Sequence, residues 1–203
     1  VGGANILEKN HAIHSLLCKC DMVVFIGTMS FTFLSALGLS ISPHFVEKHA
    51  REQAWELLDI AKKRNVRVLL PKDFRCINEA HLCDHTLVFE AQCILDGWRP
   101  VEIGPESLTE IVSVLKECKT ALWIGPIKLW PSNHQYCRLL HFTRILSQFN
   151  ASGCNSIAIG KEAYDFLKET SYSCSVHPIF PEWGCSLGII ERKYTCRSCS
   201  SGS

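Results

Sequence analysis

The sequence predicts a three-layer α/β/α domain with a mostly parallel sheet. Apolar runs of four or five residues recur along the 203-residue chain, and segments with helical spacing of apolar residues separate them. Short strands that are apolar on both faces are typical of a parallel sheet, because helices cover both of its sides. The alternation of such strands with helices therefore indicates the α/β class.

The first strand–helix unit covers residues 22–37. Met22–Ile26 is predicted as a strand, Gly27–Thr28 as a turn, and Met29–Leu37 as a helix that ends at Gly38. Residues 22–46 contain no Asp, Glu, Lys or Arg, and such a length could span a bilayer. The glycine turn and the recurring Ser and Thr favour a buried strand–turn–helix instead, so no membrane contact is expected.

The other elements follow the same rhythm, with one interruption. Residues 85–103 contain two short apolar runs, Leu87–Phe89 and Cys93–Leu95, which predict a short antiparallel insertion in a crossover. A single domain is expected at residues 1–192, with a flexible tail at 193–203. Helices are predicted at residues 47–64, 107–118, 136–149 and 162–168, and strands at 66–70, 121–124 and 156–159.

Charge and cysteine content indicate which partners and which cell compartment to expect. The formal net charge is +1 and no basic stripe is present, so a nucleic-acid partner is not expected. The twelve cysteines are scattered, which is typical of free thiols in an intracellular reducing compartment such as the cytoplasm or a plastid. Cys196 and Cys199 have C-x-x-C spacing, but a structural zinc site needs a second pair at finger-like spacing.

Glycines follow several of the predicted strands. In open α/β sheets, ligands bind at the carboxyl ends of the strands, so the residues after each strand are the candidate site. The apolar Val1 followed by two glycines resembles the end of another strand, and the lack of an initiator Met suggests a piece of a longer chain. Such glycines also occur in ordinary βα turns. The candidate segments are Gly2–Gly3, Gly27–Thr28, Pro71–Asp73, Gly125–Pro126 and Gly160–Glu162.

Six short motifs, in the same order and at similar spacing, resemble those of the phosphoglycerate kinase family from residue 1 to about residue 192. The resemblance is to the C-terminal half of that family, a Rossmann-like domain that binds ATP or ADP with Mg²⁺. It implies phosphoryl transfer between 1,3-bisphosphoglycerate and ADP, with an N-terminal 3-phosphoglycerate-binding domain outside this sequence. The segments are 2–9 (GGANILEK beside GGAKVSDK), 29–34 (MSFTFL beside MAFTFL), 69–74 (LLPKDF beside VLPVDF), 96–98 (DGW), 104–107 (GPES) and 123–126 (WIGP beside WNGP).

The resemblance also implies a set of nucleotide-binding positions. Glu162 occupies the metal-binding position of the family's GGGDT loop, which here reads Ile159–Ala163. Lys9 corresponds to the second lysine of the GGAKVSDK segment, which lies near the nucleotide phosphates. The implied nucleotide-binding residues are Lys9, Gly27, Gly125, Pro126, Gly160, Lys161, Glu162 and Ala163.

Several family positions carry a different residue. Asn5 replaces the lysine that reaches the transferred phosphoryl group, so no catalytic residue is assigned. Ile26 and Thr28 replace glycines and are expected to crowd the adenine slot. Phosphoryl transfer depends on positioning and charge neutralisation, and these changes weaken both. Further departures are Ile124 for Asn, Pro131 for the ribose-contacting Glu, Ile159 and Lys161 for glycines, and Glu182 and Trp183 in a glycine-rich loop.

Two functional hypotheses follow. The first is phosphoglycerate kinase activity, carried out with an N-terminal half outside this sequence. The second is a non-catalytic pseudoenzyme or scaffold that keeps the fold to bind a nucleotide, weakly, or a protein partner. The residues that replace charged or glycine positions favour the second hypothesis, although the family resemblance remains the best description of the chain.

Overall fold

The computed structural model describes residues 1–78, 86–125, 129 and 153–160, together with the backbone of residues 179–180. The helices predicted at 136–149 and 162–168, and the expected tail at 193–203, lie outside these ranges. In chain order the described elements are α1 (Ile6–Leu17), β1 (Met22–Val24), α2 (Met29–Ala36), α3 (Arg51–Lys63), β2 (Arg67–Leu69), β3 (Asp73–Asn78), β4 (Thr86–Glu90), a 3-10 turn (Ala91–Cys93), β5 (Trp98–Ile103), α4 (Pro105–Leu115), β6 (Thr120–Ile124), β7 (Asn155–Ile159) and β8 (Ile179–Phe180).

Parallel strands form the centre of the domain. β1 pairs with β2, and β6, β7 and β8 pair in that order, all in parallel. The first residues of the chain join the two groups: Val1 N donates to Val24 O at 2.7 Å, and Gly2 N donates to Ile124 O at 2.8 Å. The segment at residues 1–3 therefore lies between β1 and β6. This position agrees with the expectation that these residues form the end of a strand.

Helices cover both faces of this sheet, which confirms the predicted three-layer, Rossmann-like α/β/α architecture. Val23 packs in a core cluster with residues of α1, α2 and α3. Its neighbour Val24 packs in a separate cluster with Ile111 and Leu115 of α4. Successive residues of a strand point to opposite faces, so α4 covers the face opposite to α1 and α3.

The antiparallel insertion is present but differs from the predicted one. β3 lies between β4 and β5 in a three-stranded antiparallel sheet. The prediction for residues 87–89 is confirmed by β4, whereas the strand predicted at Cys93–Leu95 is wrong. Those residues belong to the 3-10 turn and the loop after it, and the strand begins instead at Trp98. Phe74 of β3 stacks on Phe31 of α2 with ring centroids 4.3 Å apart, which attaches the insertion to the domain.

Helix α3 begins at Arg51, four residues later than the predicted start at Glu47. His49 has a φ of +61°, a left-handed backbone conformation that an α-helix does not accommodate, and the loop before it is held by Glu47. The Glu47 backbone N donates to the Thr32 side chain at 2.9 Å, and its carboxylate accepts a hydrogen bond from Ile6 N. Because residue 49 is left-handed, the helix begins beyond it, at Arg51.

Two of the recognised motifs contact each other at the start of α4. Asp73, from the LPKDF segment, is buried, and its carboxylate accepts hydrogen bonds from Ser107 N at 2.8 Å and Glu106 N at 3.1 Å. The Ser107 hydroxyl also contacts this carboxylate. A carboxylate at a helix N-terminus satisfies unpaired N–H groups and interacts favourably with the helix dipole. Asp73 therefore caps α4 from a distant strand.

We expect Asp73→Ala to lower the free energy of unfolding by about 3 kcal/mol, because it leaves buried N–H and O–H donors at the start of α4 without an acceptor. Urea unfolding followed by circular dichroism measures this change. Lys72→Ala serves as the control, because Lys72 pairs with Glu110 in a largely exposed salt bridge. A loss as small for Asp73→Ala as for the control would contradict this role.

Candidate functional site

Three strands of the parallel sheet, and the segment between two of them, end in glycines at one edge of the sheet. Gly27 follows β1, Gly125 follows β6 and Gly160 follows β7, while Gly2 and Gly3 end the segment between β1 and β6. We call these five residues the glycine edge. The structure thus brings together, at the carboxyl ends of the strands, the described glycines that the sequence predicts there.

Backbone packing requires glycine at two of these positions. Gly27 has a φ of +80°, and a Cβ atom there would lie 2.5 Å from Gly3 N. Gly125 has a φ of +74°, and a Cβ atom there would lie 2.9 Å from Gly2 O. Both positions therefore need glycine for the close approach of neighbouring backbones, independently of any ligand.

Gly160 differs from these two. It also has a positive φ, of +114°, but the nearest atoms to a Cβ at this position belong to the Gly125 backbone at 3.7 Å, an ordinary contact distance. The backbone around these turns is held by side chains the sequence did not single out for this purpose. The Trp123 indole donates to Gly125 O at 2.7 Å, and the Ser30 hydroxyl donates to Gly27 O at 2.7 Å.

Lys9 lies at the glycine edge. It is in the first turns of α1, and its Nζ donates to Gly2 O at 3.2 Å. The same Nζ would lie 3.9 Å from a Cβ at Gly125. Lys9 therefore places a positive charge beside the ends of the first segment and β6.

The start of α1 carries carboxylates rather than a second lysine. Asn5 adopts a left-handed backbone conformation with φ 64°, and its side-chain amide donates to Glu8 at 3.1 Å. The Glu47 carboxylate accepts a hydrogen bond from Ile6 N at 2.9 Å. Asn is among the residues that tolerate a positive φ best, so this position suits Asn better than Lys.

Comparison with known proteins decides the family. The family model described as phosphoglycerate kinase matches residues 1–180. The chain belongs to the phosphoglycerate kinase family. The phosphoglycerate kinase of Synechococcus sp. (strain RCC307) is 30% identical over 193 residues, which cover 95% of this chain and 48% of that protein. The chain thus spans about half the length of the curated relatives it matches.

Relatives from two cell compartments are similarly distant. The cytosolic phosphoglycerate kinase of Triticum aestivum is 28% identical, with 95% of this chain and 48% of that protein covered. The chloroplastic phosphoglycerate kinase of Volvox carteri is 29% identical, with 95% of this chain and 42% of that protein covered. The sequence thus lies at a similar distance from enzymes of both compartments.

Solved structures agree on the fold. Phosphoglycerate kinase from Coxiella burnetii superposes with a TM-score of 0.81 at 24% identity, covering 95% of this chain and 49% of that one. Phosphoglycerate kinase from Pyrococcus horikoshii OT3 gives a TM-score of 0.65 at 15% identity, covering 93% and 47%. Both comparisons support the Rossmann-like fold of the family.

Part of the implied phosphoglycerate kinase site lies outside the described residues. Pro126, Lys161, Glu162 and Ala163 are among them, as are the departures at Pro131, Glu182 and Trp183. Within the described ranges, no group of three His, Cys, Asp or Glu side chains could hold a metal ion. The metal-binding role of Glu162 therefore stays a prediction.

Two of the departures lie in the core rather than at an open surface. Ile26 is 5% exposed and packs with Leu69 and Ile111. The expected crowding of an adenine slot by Ile26 and Thr28 stays a prediction. Ile124, at the position of the family asparagine, is 1% exposed and packs with Leu16 and Ile159. The Thr28 hydroxyl contacts Gly3 O at 3.3 Å.

Six cysteines lie in the described part of the chain, and all six are free thiols: Cys18, Cys20, Cys76, Cys93, Cys118 and Cys154. Burial raises the pKa of Cys76 to about 12, and it also raises the pKa of Cys20 and Cys118.

Among the residues that the structure describes, no helix is both long enough and apolar enough to cross a membrane.

We expect iodoacetamide at pH 8 to alkylate Cys18 and Cys93, which are exposed, at least about 100-fold faster than Cys76. The thiolate is the reactive form, and burial both shields Cys76 and raises its pKa. Peptide mass spectrometry at several times measures the three rates. After denaturation the three rates should become equal, which is the control. Labelling of Cys76 in the folded protein as fast as that of Cys18 and Cys93 would contradict the buried position of β3.

Proposed function

We propose that this chain acts as the nucleotide-binding half of a phosphoglycerate kinase that binds Mg-ADP or Mg-ATP weakly and transfers phosphoryl groups slowly or not at all. The observation that carries the proposal is the start of α1. Lys9 remains beside Gly125, whereas a neutral Asn5 bonded to Glu8 occupies the position of the family's other lysine. The glycine edge with Lys9 would thus provide a place for phosphates, while a charge that would stabilise a moving phosphoryl group is replaced by a neutral amide.

Bound Mg²⁺ would neutralise charge on the nucleotide phosphates, and Glu162 would be its protein ligand. Glutamate can serve Mg²⁺ as aspartate does, although the octahedral geometry tolerates few distortions. The residues of the glycine edge would contribute close backbone approach to the phosphates, and Lys9 would contribute a positive charge.

A full reaction would need a second half that binds 3-phosphoglycerate. We propose that such an N-terminal domain lies outside this sequence, and that the protein works in a reducing compartment, cytoplasm or plastid. The non-catalytic alternative, a scaffold that binds a nucleotide or a protein partner through this fold, is favoured by the acidic contacts at the start of α1.

We expect isothermal titration calorimetry to give a dissociation constant for Mg-ADP no better than about 100 μM. Losing two or three hydrogen bonds or ionic contacts, at about 0.5–1.5 kcal/mol each, weakens binding by one to three powers of ten. Lys9→Met should remove the remaining binding. Lys116→Met, an exposed change at the far end of α4, is the control and should leave binding unchanged. Low-micromolar binding by the natural sequence would contradict weak binding and favour the hypothesis of an active phosphoglycerate kinase.

A further inference from the structure

Glu47 holds the loop before α3 to the start of α1. Its backbone N donates to the Thr32 side chain of α2 at 2.9 Å, and its Oε2 accepts a hydrogen bond from Ile6 N, the first residue of α1, at 2.9 Å. Asn5 provides no side-chain cap for this helix. A carboxylate from the α2–α3 connection therefore occupies the helix end that begins three residues after Gly3.

The side-chain charges around this helix end favour ligands that carry few negative charges. Glu8 and Glu47 each add a negative charge, and Lys9 adds one positive charge, so the three side chains together are net negative. A carboxylate at a helix N-terminus also offsets the positive end of the helix dipole, which would otherwise attract an anion. Ile6 and Gly3 are three residues apart, so this charge lies on the order of 10 Å from the glycine edge.

We propose that Glu47 is a specificity-determining residue, whose carboxylate lowers the affinity of the glycine edge for nucleotide polyphosphates and disfavours ligands in proportion to their negative charge. This inference rests on the proposed nucleotide binding and adds the residue that limits it. The effect is electrostatic, so it acts most strongly on ATP, less on ADP and least on AMP when no metal is bound.

The test compares Glu47→Gln with the natural protein in EDTA, with ATP, ADP and AMP as separate probes. Glutamine keeps an oxygen that can accept the Ile6 hydrogen bond but removes the charge. At low salt we expect the affinity for ATP to rise about three- to ten-fold, with smaller gains for ADP and AMP. At 0.5 M salt the gain should fall to less than about two-fold, because the interaction is screened.

Two further variants separate charge from folding. Glu117→Gln removes one exposed negative charge beyond α4, at the opposite edge of the sheet, and should change no affinity. Glu8→Gln removes a charge on the first turn of α1 and should give a smaller gain than Glu47→Gln. If Glu47→Gln also lowers the melting temperature, the ranking of ATP above ADP above AMP still identifies charge, since a loosened helix would not produce it.

The outcomes distinguish the inference from the proposed function. Measurable binding with equal affinities for the natural protein and Glu47→Gln would overturn the role of Glu47 and leave nucleotide binding standing. A gain that is the same for all three nucleotides, or that persists at high salt, would also overturn it. Absence of binding in every variant would overturn the proposed function itself, and the inference with it.

Discussion

In a coupled assay with 3-phosphoglycerate and Mg-ATP, the full-length natural protein is expected to turn over at least about 100-fold more slowly than the Synechococcus relative assayed beside it. Three phosphoryl oxygens must be stabilised while the group moves between two substrates, and no covalent intermediate shares the task. At Asn5 the chain offers a neutral amide that is already bonded to Glu8. Removing a single preorganised donor of this kind costs about 10²–10³ in rate in other enzymes.

Lys161 adds a positive charge where the family loop has a glycine, but a long flexible side chain replaces a fixed set of N–H donors poorly. Several losses at one transition state reduce the rate together, although not additively. The Michaelis constant for Mg-ATP, measured in the same assay, separates weak binding from slow chemistry. Turnover within about ten-fold of the relative would show that Asn5 and its neighbours do not limit the reaction.

Gly27→Ala should lower the free energy of unfolding by about 4 kcal/mol, the largest stability effect that we expect from a single methyl group here. A Cβ atom at this position would lie 2.5 Å from Gly3 N and 3.0 Å from Gly3 O, and both are backbone atoms. Relief of the clash would separate the first segment from β1, with loss of the hydrogen bond from Met29 N to Gly3 O at 3.0 Å.

Gly38→Ala is the matched control for this substitution. Gly38 has a φ of +92°, close to that of Gly27, but nothing lies within 4 Å of its Cβ position. It should therefore show only the conformational cost of a left-handed residue, about 1 kcal/mol. Urea unfolding of both variants measures the difference. Similar losses for the two would mean that φ alone, and not the contact with Gly3, requires glycine at residue 27.

The strands and helices that follow local patterns could be predicted from the sequence. β1, β2, β6 and β7 each fall within one or two residues of the predicted apolar runs, and α2 ends before Gly38 as expected. Apolar periodicity carries this information, because it depends only on near neighbours. The rule that ligands bind at the carboxyl ends of parallel strands also located the glycine edge.

The features that the sequence did not predict depend on contacts between distant residues. The sequence does not predict β3, because its first residue, Asp73, follows a Pro-Lys pair that is typical of a turn. The strand forms by pairing with the distant residues 86–90 and 98–103. The capping role of Asp73 involves Ser107, which is 34 residues away. Glu47 likewise acts on Ile6, 41 residues away. No local pattern signals such pairs, although the shared spacing of the family motifs could have suggested the first.

We propose that this chain has lost charge and backbone access at the positions where its family transfers a phosphoryl group. The most direct measurement is the turnover number of the full-length protein carrying Asn5→Lys, Glu182→Gly and Trp183→Gly, with Asn5→Met in place of Asn5→Lys as the uncharged control. We predict that the variant with Asn5→Lys turns over at least about ten-fold faster than the natural sequence. Asn5→Met, combined with the same two glycine substitutions, should give no gain over those two substitutions alone. Family-like turnover by the natural sequence, or equal rates for the lysine and methionine variants, would contradict the proposal.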